Sequence, residues 1–168
     1  MVVGVTMKDV SAANLKQMEK ELESEAIMVE KDMMLSMYEE LEKVLGTVNA
    51  LLYNIIKKST KRYAQRFIDE GILNKDTSLD AAFKIMKEYG YAKKLEVVEN
   101  KDNEMTIRGE GLFFGSNLKN KKRPVDAAIA GFLAGWLETA WGKRVDVKET
   151  KCQAKGDPYC EFKVIVRG

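Results

Sequence analysis

Apolar and polar positions along this chain follow two periods, and the change falls just after Gly90. Before it, apolar residues recur every three to four positions, the spacing of one helix face. The segment LKQMEKELES puts Leu15, Met18 and Leu22 on one side, and Ser11 is placed to cap a helix over residues 12–24. AIMVE, residues 26–30, is a short apolar run compatible with a strand. A second helix is expected from Asp32, placed as N-cap, to Gly46, placed as its stop. TVNALLYNIIKKSTKRYAQRFIDEG repeats this grammar, with Val48, Leu51, Leu52, Ile55, Ile56, Tyr63 and Phe67 at helical spacing. SLDAAFKIMKEYG predicts one more helix, with Leu79, Ala82, Phe83 and Met86 turned inward.

After Gly90 the apolar residues alternate. Leu95 and Val97, then Met105 and Ile107, flank a polar NKDN turn and predict a β-hairpin. PVDAAIAGFLAGWLETAWG predicts a helix with Pro124 in its first turn and Gly142 at its end. It is apolar nearly all round from Ala127 to Leu137, so it is expected to be buried on several sides. Gly131 and Gly135, four apart, would let another backbone come close. RVDVKETKC and YCEFKVIVR predict a second hairpin. The order is helices, then hairpin–helix–hairpin: an α+β fold with an antiparallel sheet of about four strands packed against several helices. Residues 1–25 are expected as a helical extension, and residues 26–168 as one domain.

Composition narrows the function classes. The 168 residues are 45% hydrophobic and 32% charged, ordinary for a soluble domain with a full core. A formal charge of +2 without a basic stripe argues against nucleic-acid binding, and the basic run KNKKR reads as a solvated loop. The opening MVVGVTMKDV lacks the apolar length of a secretory signal, and no stretch is apolar enough to span a bilayer. The expected setting is a reducing cytoplasm. There is no histidine, so nucleophilic catalysis through a Ser-His or Cys-His pair is excluded. Any metal must be held by thiolates, carboxylates, water or backbone oxygens.

The two cysteines lie in ETKCQAKGDPYCEF. A turn centred on Gly156 would place Cys152 opposite Cys160. Buried small residues, a disulfide and a metal site all fit that placement. The nearest further ligand is Glu149. Three residues apart in a flat strand, Glu149 and Cys152 face opposite ways, so a shared site needs a bulge or a strand that stops before Cys152.

KCQAKGDPYCEFKV, preceded by GFLAGWLETAWGKRVDVKE, resembles the closing signature of the 4-vinyl-reductase (vinyl-4-reductase) domain family. Those domains share a fold with trafficking-complex subunits and with the input domains of bacterial phenol sensors. The resemblance implies a zinc-stabilised domain that binds a small molecule. In the aromatic sensors three cysteines and a glutamate hold zinc. Glu149, Cys152 and Cys160 match three of those positions, and the fourth, after a Pro-Val pair, is Asp126 here. An Asp/Glu/Cys/Cys set is chemically reasonable for structural zinc, though harder than three thiolates.

The resemblance also implies an apolar pocket between sheet and helices, for an aromatic or lipid-like molecule. Phe113, Phe114, Phe132, Trp136 and Tyr159 are candidates to line it, and no catalytic residue is assigned. The alternative role is a component of a vinyl-group reductase in tetrapyrrole pigment metabolism. Neither a dinucleotide fingerprint nor four thiolates for a cluster stands in the sequence, so such a role would depend on an external electron donor. A dimeric interaction scaffold is the further alternative. The surplus of amphipathic helix and the methionines from Met28 to Met37 predict a homodimer through the N-terminal helices.

Overall fold

The computed structural model describes residues 12–73 and 79–168, so Ser11 and Ser78 lie outside the described residues. Four helices come first: α1 (Ala12–Glu25), α2 (Lys31–Leu45), α3 (Asn49–Asp69) and α4 (Leu79–Glu88). The hairpin β1 (Lys94–Lys101) and β2 (Glu104–Glu110) follows, then the short α5 (Phe113–Asn117) and the buried α6 (Ala127–Trp141). β3 (Arg144–Lys151) and β4 (Cys160–Arg167) complete one antiparallel sheet in the order β1-β2-β4-β3. This is the α+β arrangement that the two periods predict.

Two local expectations are corrected. Residues 26–30 form no strand; Ile27 and Met28 project into solvent. A strand needs a free sheet edge, and none is offered to this run between two helices. The cap of α2 is Glu30 rather than Asp32: its carboxylate accepts the backbone N–H groups of Asp32 and Met33 at 3.0 and 2.9 Å. Asp32 instead sits in the first turn, where its charge suits the helix dipole. Gly46 and Gly142 do end α2 and α6 in left-handed conformation, at φ 70° and 63°.

α6 lies between the sheet and α3 and is buried from Ile129 to Leu137. Its two glycines explain the close crossing. A Cβ at Gly131 would stand 2.5 Å from Tyr53 O, and one at Gly135 would stand 2.5 Å from Lys57 O. The far end of α6 is pinned by charge. Glu138 receives Lys57 at 2.8 Å and Lys61 at 2.6 Å, and also accepts the Val145 N–H at 3.1 Å. Burial opposes its ionisation, but these donors prevail and hold the carboxyl down at about 2. The other face of α6 meets Ile107, Val145, Val147, Phe162 and Val164 on the core face of the sheet. α1 rests on α4 through buried Met18, the Lys84–Glu19 ion pair at 2.7 Å and a bond from Tyr89 OH to Glu19 O.

Candidate metal centre

The sheet register resolves the spacing of Glu149 and Cys152. Glu149 pairs with Phe162, but Lys151 pairs with Glu161, so Thr150 is an extra residue in β3. The bulge turns Thr150 outward and returns the chain to the core side at Cys152, which lies just beyond the strand. Glu149 and Cys152 are therefore both buried. The loop to β4 makes a single 3-10 turn over Gln153–Lys155, closed by Gly156 at φ 99°. Asp157 fixes it: its carboxylate accepts the Cys152 N–H at 2.8 Å. Cys160 opens β4 opposite Gly109 of β2.

Asp126 approaches from the start of α6. Its Oδ2 lies 3.4 Å from Cys160 Sγ and 3.9 Å from Cys152 Sγ. Ligand atoms of Asp126, Glu149, Cys152 and Cys160 all stand within 4.8 Å of one another, and the four residues are buried. Both cysteines are free thiols. Structural zinc bonds sulfur at ~2.3 Å and oxygen at ~2.1 Å, so its ligand atoms lie ~3.4–3.8 Å apart; a small contraction suffices here.

Two features show that the donors fit a cation. Glu149 uses Oε2 to accept the Asp126 N–H at 2.8 Å, while Oε1 is buried with no partner among the described residues. Burial, then the neighbouring Asp126, push the Glu149 carboxyl up to about 11; burial, then Cys152, push Asp126 up to about 7. Hydrogen bonding with Cys160 holds the Cys152 thiol down at about 5, and the same contact pushes Cys160 far up. Four acidic groups in one dry space cannot all ionise unless a cation joins them.

Gly115 of α5 is a site residue that motif reading misses. Its N–H donates to Asp126 Oδ1 at 3.0 Å. A Cβ there would collide with Asp126 Oδ2 and stand 2.8 Å from Cys160 Sγ. Only glycine admits the backbone this close. Its one signal was a glycine following two phenylalanines, too short a stretch for a period. Gln153 is a second such residue, its N–H lying 3.3 Å from Cys160 Sγ.

The expected pocket residues do not gather in one place. Phe113 and Phe114 meet edge to face on α5, at 5.0 Å between centroids, and Phe114 packs on Tyr38. Phe132 and Trp136 stack on α6 at 5.8 Å, with Tyr63 of α3 against both. Tyr159 lies on the outer face of the sheet, between Arg108 and Lys151. The second group holds the feature that matters for binding: Trp136 is wholly buried, and its Nε1–H has no partner among the described residues.

No described helix is long and apolar enough to cross a membrane. An uncharacterized protein of Methanocaldococcus jannaschii is 32% identical over 117 residues, covering 70% of this chain and 64% of the relative. A second from the same organism is 42% identical over 69 residues, covering 40% of this chain and 30% of the relative. The chain thus spans less than two thirds of either relative's length. In fold it is similar to the phenol-responsive sensory domain of the transcription activator PoxR with phenol (TM-score 0.70, 15% identity, 93% of this chain and 91% of that one). It is likewise similar to a vinyl-4-reductase family protein of Methanocaldococcus jannaschii (TM-score 0.64, 22% identity, 96% and 98%). A trafficking protein particle complex subunit 3 from Naegleria fowleri, covalently bound to palmitic acid, shares the fold too (TM-score 0.62, 19% identity, 82% and 95%). Residues 105–166, from β2 through most of β4, match the vinyl-4-reductase (V-4-R) domain family, and this chain carries a domain of that family there.

Proposed function

We propose that the chain is a zinc-stabilised domain that binds an apolar or aromatic small molecule, in a sensor or carrier role. The observation that carries the binding role is the unpartnered Nε1–H of Trp136, buried among Phe132 and Tyr63. A buried donor left without an acceptor costs about 1–3 kcal/mol, and a ligand oxygen would recover it. An aromatic molecule with one hydroxyl matches such a site: the ring replaces apolar contacts and the oxygen accepts from the indole. The structural likeness to a sensory domain solved with phenol agrees with this chemistry. Phe113, Phe114 and Tyr159 lie apart from this group, so their share in a pocket depends on movement around α5.

Zinc in this reading is structural. Asp126, Glu149, Cys152 and Cys160 would fill a tetrahedron and leave no open position, which ties the start of α6 to the β3–β4 loop. The thiolate ligands favour a reducing compartment, and the cytoplasm is the proposed location. Residues 26–168 are taken as the binding domain, and the segment before them as an extension docked on α4. A homodimer through the N-terminal helices is also proposed, because Met33, Met37, Leu51 and Ile55 leave apolar surface exposed on α2 and α3.

The test is titration with phenol and with toluene, on wild type and on Trp136→Phe. Phe keeps most of the stacking and removes the donor. Phenol should bind the wild type and weaken about tenfold in the variant, the worth of one hydrogen bond, while toluene is unaffected. Absence of binding by either molecule to the wild type would overturn the reading.

A further inference from the structure

A groove of about 620 Å³ opens on the surface where the start of α2, the end of α4, the entry to β1 and α5 meet. Lys31, Lys87 and Lys93 line it from three separate elements, together with Phe113, Ser116 and Asn117. No acidic side chain is among the lining residues. Elsewhere on this surface lysines take carboxylate partners, as Lys43 does with Glu40, Lys84 with Glu19 and Lys121 with Glu42. Lys31, Lys87 and Lys93 form no ion pair among the described residues. The carboxylate nearest in sequence to Lys31, that of Glu30, is engaged in capping α2.

Three ammonium groups facing one concavity repel one another unless an anion lies between them. Two details fix the arrangement. Gly111 adopts φ +62°, and a Cβ there would stand 2.6 Å from Lys93 Cγ, so glycine makes room for the stem of Lys93. Phe113 is held edge-on to the buried Phe114 at an interplanar angle of 89°, which presents a fixed aromatic surface at the groove wall. Cationic and aromatic walls together suit a molecule with both an anionic group and an apolar body.

We propose that this groove binds an amphipathic organic anion, such as an aryl or alkyl carboxylate, sulfonate or phosphate. Its charged group lies among Lys31, Lys87 and Lys93, and its apolar body lies against Phe113. The site is separate from the interior around Trp136 and does not depend on the reading given for it. Specificity comes from the pairing of charge and ring: a small inorganic anion leaves Phe113 unused, and a neutral ring leaves the lysines unsatisfied. Because the lysines are exposed, affinity falls as ionic strength rises.

The experiment titrates the full chain with 8-anilino-1-naphthalenesulfonate, read by its fluorescence, beside the uncharged N-phenyl-1-naphthylamine. Variants are Lys87→Glu/Lys93→Glu, Lys31→Glu alone, and Lys58→Glu on the exposed face of α3 as a control for overall charge. The expected result is saturable sulfonate binding that weakens tenfold or more in the double variant, severalfold in Lys31→Glu, and little in Lys58→Glu. Binding of the neutral probe should be the same in all four proteins. Sulfonate affinity that is unchanged by both groove variants, or lowered as much by Lys58→Glu, would overturn the proposal. Lys31→Glu supplies an independent reading from a different element should the double variant fold poorly.

Discussion

The backbone N–H of Asp126 donates to Glu149 Oε2 at 2.8 Å, joining the residue before α6 to the last core-facing residue of β3. That bond places two carboxylates against each other in a buried space that they share with two thiols. The arrangement is costly for the bare protein and favourable for a cation, and the two consequences can be separated experimentally.

Glu149→Gln should act in opposite directions with and without metal. The amide oxygen can still accept the Asp126 N–H, and the variant removes an acid whose ionisation burial opposes. In chelator the variant should therefore unfold at the same temperature as wild type or higher. With zinc at a hundred times its dissociation constant, wild type should gain about 2.7 kcal/mol and the variant far less. Thermal unfolding in the two conditions gives the answer; equal losses in both would remove the metal from the account.

Gly135→Ala should destabilise although alanine favours helix. The gain in propensity is about 1 kcal/mol. Against it, the added Cβ would meet Lys57 O at 2.5 Å and Thr60 Cβ at 2.9 Å, and overpacking of this kind costs about 1–3 kcal/mol. Denaturant unfolding should show a net loss. A stabilised variant would mean that α3 is free to retreat.

Glu138→Gln tests the charged end of the same helix pair. Its carboxyl is held down at about 2, so its stabilisation is present above the ordinary carboxylate range and disappears as pH falls toward 2. Near neutral pH the variant should lose about 1–3 kcal/mol, because Lys57 and Lys61 keep their charge without a partner. The curves of stability against pH for the two proteins should converge in acid. A constant gap across the range would assign the loss to packing.

Leu51→Glu with Ile55→Glu should abolish the proposed dimer. The two side chains are 46% and 53% exposed and lie one turn apart on α3, away from α6. Light scattering at micromolar concentration should then report half the wild-type mass. A wild type already monomeric would remove this interface.

The parts of the fold that were legible are those set by local chemistry. Gly46 and Gly142 end their helices because glycine takes the left-handed conformation without strain. Met105 and Ile107 alternate toward the core, so the sheet could be read two residues at a time. The four candidate ligands were nameable from the motif, but their convergence depends on the bulge at Thr150 and the absence of a side chain at Gly115. Both are tertiary features with no periodic signal. AIMVE misled because an apolar run says that surface is available for burial, not that a partner is there. The aromatic residues misled in the same way: their number is in the composition, but which wall each one faces is decided by the packing of α3, α5 and α6.

α5 has five residues and two occupied sides. Phe113, Ser116 and Asn117 border the lysine groove, while the Gly115 N–H holds Asp126 Oδ1. A segment this short moves as one piece. An occupant of the groove that shifts α5 changes the affinity of the acidic cluster for its cation, and the cation must change the affinity of the groove by the same factor. The helix would then act as a rocker between surface and interior, making metal content a readout of what is bound outside.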